Sequence, residues 1–135
     1  MLESLLTPLP SAKILVSAFL AILFLQSGLD KIFDFRGNLA WLRGHFGKSP
    51  LRGQVAPMLA VITLTETLAG IACAIGAVQI TTGGKATVAL WGAQLCALNI
   101  VMLFFGQRIA KDYAGAAALV PYFILCIGAI VLVGS

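Results

Sequence analysis

VAPMLAVITLTETLAGIACAIGAVQI, residues 55–80, decides the class of fold. A run this long and apolar suits a helix crossing a bilayer, whose core of about 30 Å needs about 20 helical residues. Similar runs precede and follow it, and together they predict helices over about 12–33, 55–80, 86–106 and 114–133. In lipid only helices and closed barrels satisfy every backbone group. These runs are too long, and alternate too little, for barrel strands of about ten residues. The expected fold is therefore all-α: an integral membrane four-helix bundle, a single domain over residues 1–135.

Composition points the same way. The chain is 60% hydrophobic and 10% charged, with a mean hydropathy of +1.01. Soluble domains carry about a quarter charged residues, and so few charges could not cover a small protein's exposed surface. The net charge of +4 comes from cations between the apolar runs, where membrane orientation accounts for them. No basic stripe interleaves with aromatic residues, which reads against a nucleic-acid partner. The opening MLESLLTPLPSAK lacks a basic n-region, so the first run is expected to be a retained helix rather than a cleaved signal peptide.

The connections differ in length. Thr81-Thr82-Gly83-Gly84-Lys85 reads as a tight turn, and the stretch from Gln107 to Tyr113 is also short. Asp30 to Gln54 is far longer and carries Trp41, Gly44, Phe46, Gly47 and Pro50. Such amphipathic composition predicts a partly interfacial first loop, helical or re-entrant, with Trp41 at headgroup depth. Loops one and three hold Lys31, Arg36, Arg43, Lys48, Arg52, Arg108 and Lys111, against Lys13 and Lys85 on the other side. That asymmetry places loops one and three in the cytoplasm and both termini outside, with the inner membrane of a bacterium as the expected location.

Glu66 is the sharpest single signal, lying about eleven residues from one edge of its run. A carboxylate at that depth must be protonated, paired or turned to a polar cavity. Handling a proton or orienting a ligand is one reading; locking helix packing is the other. Ser27, Asp30, Lys31 and Asp34 follow i, i+3, i+4, i+7 spacing on one helical face beside Gln26. Lys31 can reach inward as a cation for Glu66 or snorkel to the headgroups. Asn99 and Gln94 add amides on roughly opposite sides of the third helix, and Arg108 and Asp112 precede the fourth. The candidate ligand-binding set is Asp30, Lys31, Glu66, Asn99, Arg108 and Asp112, with Glu66 the catalytic candidate. These residues either share one polar cavity entered from the membrane interface or serve separately as anchors and helix ends.

Other features fit packing. Gly70, Gly76, Gly115 and Gly128 are expected to allow close helix approach, and Pro121 to kink the fourth helix beside Tyr122. Cys73, Cys96 and Cys126 fall in separate apolar runs without a CxxC pair, so they read as inert core thiols. His45 is the only histidine, which leaves no bis-histidine haem site and no zinc constellation within the chain. No metal site is expected and no cofactor is intrinsic.

The stretches LFLQSGLDKIFDF (23–35), TETLAGIACAIGAV (65–78) and FGQRIAKDYAGAAALVPYFILCIGAIVLV (105–133) resemble, in order and spacing, the DoxX family of four-helix membrane proteins. The resemblance covers nearly the whole chain. It implies the same fold and polar positions at Lys31, Glu66 and Asp112. It also brings in quinone-linked electron transfer, because related Dox polypeptides belong to thiosulfate:quinone oxidoreductases. The missing cysteine pair departs from any thiol or sulfur chemistry. Three roles follow as expectations: a membrane subunit of quinone-linked electron transfer, a non-catalytic accessory subunit of a larger membrane complex, or a small transporter. Whether the chain is an enzyme stays open at this point, since its activity would need a quinone or a partner. The lipid bilayer is one expected partner, and other membrane-protein subunits are another.

Overall fold

The computed structural model describes residues 2–135, nearly all of them helical. A short α1 (Leu2–Leu6) leads into α2 (Pro8–Phe33), and α3 (Phe35–His45) follows after a break at Asp34. One 3-10 turn, Arg52–Gln54, opens α4 (Val55–Thr81). Then come α5 (Thr87–Ile109), α6 (Tyr113–Ala118) and α7 (Val120–Val133). Four stretches are long and apolar enough to cross a membrane: Pro8–Phe33, Arg52–Thr81, Thr87–Ile109 and Tyr113–Val133. Their outward faces carry Leu15, Ile22, Leu64, Val78, Ile124 and Val131, all exposed. Lipid is the solvent that such a surface requires. The chain is an integral membrane protein.

Helix boundaries follow local chemistry. The first span begins at Pro8, four residues before the apolar run does, because proline is tolerated in a first turn whose N–H groups have no intrahelical partner. At the other end of α4, Gly83 adopts φ +82°, its N–H bonds to the Ile80 carbonyl at 3.0 Å, and Gly84 reaches back to Gln79 at 2.7 Å. That left-handed cap frees the chain to turn at once into α5. Lys111 closes α5 in the same way with φ 61°, a conformation that costs a residue with a Cβ about 1–2 kcal/mol. The fourth span is not one continuous helix. Leu119 separates α6 from α7, and Pro121, which has no N–H to give to the preceding turn, lies in the first turn of α7.

The spans pack in the order α2, α4, α5, α7, with α7 also touching α2. The core is built from small residues: Ala69, Ala93, Ala97, Ala129 and three cysteines, with Leu20, Phe24 and Ile100 filling the larger gaps. Small residues matter because lipid gives apolar helices no reason to leave it except close contact. A methyl at Gly70 would stand 2.7 Å from the Leu25 backbone nitrogen, and one at Gly92 would stand 2.8 Å from that of Cys73. Gly76 meets the Ala89 backbone equally closely. These approaches set the register of α2 against α4 and of α4 against α5. Gly128 does something else: it is exposed and faces open space, while Gly115 meets only the side chain of Asp112 that caps its own helix.

The first loop is mostly α3. Phe35, Leu39, Leu42 and His45 are partly covered and Phe46 is buried, whereas Arg36, Ala40, Trp41, Arg43 and Gly44 are exposed. One side of this helix faces the bundle and the other presents cations and a tryptophan.

Candidate functional site

Five of the six sequence candidates fall into three groups, and Asp30 lies outside them. The first is an ion pair between α2 and α4. Lys31 Nζ donates to Glu66 Oε2 at 3.1 Å and to Ser27 Oγ at 2.8 Å. Glu66 is 2% exposed and the Lys31 side chain 19%. Of the two courses open to Lys31, the inward one is taken. Ser27 lies one turn before Lys31 on the same face of α2, which is how the i, i+4 spacing delivers its hydroxyl to the ammonium. On α4, Glu66 is eleven residues from Val55, about 16 Å along the axis at 1.5 Å per residue.

Threonines flank Glu66 on both sides and turn their hydroxyls inward along the helix. Thr63 Oγ1 donates to the Leu59 carbonyl at 2.7 Å and Thr67 Oγ1 to that of Thr63 at 2.8 Å. Neither competes for the carboxylate. Thr65 instead reaches across to α5, donating to Asn99 Oδ1 at 2.6 Å, while Asn99 Nδ2 donates to the Leu95 carbonyl at 3.2 Å. Asn99 is fully buried and forms the second group, at the same level of the bundle as Glu66 but on the α4–α5 seam. Gln94 is exposed, as expected of an amide on the other side of α5.

Arg108 and Asp112 make the third group, at the loop-three end. Arg108 places its guanidinium 4.7 Å over the ring of Tyr113. Asp112 caps α6 by accepting from the Gly115 N–H at 2.9 Å, and its second oxygen lies 3.4 Å from His45 Nε2. Asp30 stands exposed on α2, apart from all three.

Comparison with protein-family models, with curated proteins and with solved structures finds no match. The chemistry of the chain therefore has to be read from its own geometry.

Two associations were beyond the reach of sequence. His45 Nε2 also lies 2.9 Å from Gln107 Oε1, and its ring stacks on Trp41 at 4.8 Å, tying loop one to loop three. Only the i, i+4 spacing of Trp41 and His45 hints at this. The three cysteines, 23 and 30 residues apart, converge in the core, with the sulfurs of Cys73 and Cys96 3.8 Å apart across α4 and α5. All three are free thiols. Among the described residues, no three His, Cys, Asp or Glu side chains gather in a group that could hold a metal ion.

An ammonium and a carboxylate at this distance are held together by more than their charges. Taking two ions out of water costs several kcal/mol each, offset only when attraction and further hydrogen bonds are well placed. Ser27 supplies one such bond.

Proposed function

We propose that this chain is a DoxX-like membrane subunit associated with quinone-linked electron transfer, in which the Lys31–Glu66 pair is the proton-handling site. The single observation that carries the reading is a carboxylate at mid-span, almost wholly buried, with a hydrogen-bonded cation on the neighbouring helix. Intramembrane ionisable groups of this kind mark proton and ligand pathways. Quinone reduction takes up protons, so a carboxyl with an ammonium beside it suits a headgroup oxygen that gains charge and then hydrogen. In this reading the protein lies in the cytoplasmic membrane of a bacterium, with loops one and three in the cytoplasm and both termini outside. The test is extraction of quinone from the protein purified gently out of its native membrane. Wild type is expected to carry quinone, and Glu66→Gln roughly tenfold less, the equivalent of about 1.4 kcal/mol. Equal quinone in both would remove Glu66 from the role.

One observation favours a second reading, that of a non-catalytic accessory subunit. Among the described residues, every buried side-chain nitrogen and oxygen has a partner, so the polar seam is closed and serves packing as it stands. In this reading Lys31–Glu66 is a lock, and the exposed face of α7 is covered by a larger membrane protein. Co-purification of that partner at fixed stoichiometry, with no quinone retained, separates it from the first.

A further inference from the structure

The cations of loop three take no part in the ion pair, and beside them lies a groove that the quinone reading does not use. It runs between α5 and the α6–α7 break, with a volume of about 330 Å³, walled by Ile100, Val101, Phe104, Leu119, Val120 and Phe123. Its volume falls at the lower end of the range for ligand sites. All six walls are apolar, and Val101, Phe104, Val120 and Phe123 are exposed, so the groove opens sideways where the bilayer would be.

Charge follows the groove's α5 wall in sequence. Ile100, Phe104 and Arg108 are spaced i, i+4, i+8 on one stripe of α5, which carries the groove's floor towards the Arg108 guanidinium. The ring of Tyr113 beneath that guanidinium steadies it at the start of α6. Lys111, exposed and in its left-handed cap, stands one turn further on. The acid nearby is Asp112, and it is engaged by the Gly115 N–H and faces His45. An apolar trough that opens to lipid, with two cations in the turns that follow its α5 wall, matches an amphiphile with an acyl tail and an anionic head. A quinone head can accept hydrogen bonds at its carbonyl oxygens, but it carries no charge to balance two cations, whereas a phosphate does.

We propose that this groove binds one anionic phospholipid, an acyl chain lying along Ile100 and Phe104 and the phosphate held by Arg108 and Lys111. Arginine suits that place because its planar fork can give two parallel hydrogen bonds to one phosphate. The inference stands apart from the quinone reading and survives its failure.

The test uses the full chain in mild detergent, titrated with dioleoylphosphatidylglycerol or with dioleoylphosphatidylcholine, which has the same tails and no net charge. Native mass spectrometry counts retained lipid. Wild type is expected to keep one phosphatidylglycerol in preference to phosphatidylcholine. Arg108→Gln and Lys111→Gln should each lower that retention about fivefold, while Lys85→Gln, on the opposite side of the bundle, leaves it unchanged. Val120→Trp, which fills the groove, should reduce retention of both lipids; if that variant does not fold, the two charge variants decide. Equal retention of the two lipids by wild type overturns the proposal, as does undiminished phosphatidylglycerol on Arg108→Gln/Lys111→Gln. Displacement of phosphatidylglycerol by equimolar decylubiquinone also overturns it and assigns the groove to quinone.

Discussion

The seam between α2 and α4 and the contact between α5 and α7 are built on opposite terms. At the first, Gly28 and Gly70 let the two backbones meet, and Lys31 and Glu66 join them with a buried ion pair. At the second the helices share a few core residues, then part around an apolar groove, and eight of the fourteen residues of α7 are exposed. Water would press both pairs together, but lipid presses neither. Inside a bilayer, helices associate through close packing and polar contacts, and this bundle is tight where the sequence supplies both. The α4–α5 seam belongs with the first kind, since it has Gly76, Gly92 and the Thr65–Asn99 bond.

The largest expected effect comes from leaving the carboxylate alone. Lys31→Met should cost about 3–5 kcal/mol, because Glu66 would stay buried without its cation; unfolding of the purified protein in mixed micelles measures it. A loss below about 1 kcal/mol, the scale of an exposed pair, would erase the distinction between the seams. Next is Gly76→Leu, which forces a side chain into the Ala89 backbone and should cost about 1–3 kcal/mol or separate the helices altogether. Asn99→Ala sharpens the ranking. It removes one interhelical bond, but Thr65 can turn its hydroxyl to the Val61 carbonyl 2.8 Å away, so a loss of about 0.6–1.7 kcal/mol is expected. Lys111→Gly should go the other way, since glycine adopts the left-handed cap without strain; a gain of about 0.5–1 kcal/mol would appear as a higher unfolding midpoint. Smallest of all, Gly128→Leu on the open face of α7 should change stability by less than about 0.5 kcal/mol. A large loss there would mean that α7 packs against something tightly after all.

How legible these seams were in the sequence depends on the range of the signal. Span length and polarity are local, so four membrane helices could be read directly from apolar runs. Glu66 stood out because a charge inside such a run is costly wherever its partner lies. That the partner is Lys31 could only be one of two alternatives, because the answer depends on the register of α2 against α4. The glycines set that register, and Gly70 and Gly28 do not announce which backbone each will meet. The same limit explains Gly128, which has the composition of a packing residue and faces outward. It explains the cysteines too, whose convergence follows from three helix rotations at once. The single polar cavity expected for Asp30, Lys31, Glu66, Asn99, Arg108 and Asp112 resolves into separate places: Glu66 and Asn99 lie at one level but on different seams, and Arg108 and Asp112 lie at the loop-three end.

The central claim is that Lys31 and Glu66 are coupled inside the span, and a double-mutant cycle tests it most directly. Unfolding free energies of wild type, Lys31→Met, Glu66→Met and the double variant, measured in one bilayer-like medium, give the coupling. The structure predicts about 2–3 kcal/mol, within the range found for residues in contact, so that the double variant loses clearly less than the sum of the two single changes. Additive losses, with coupling below about 0.5 kcal/mol, would contradict it.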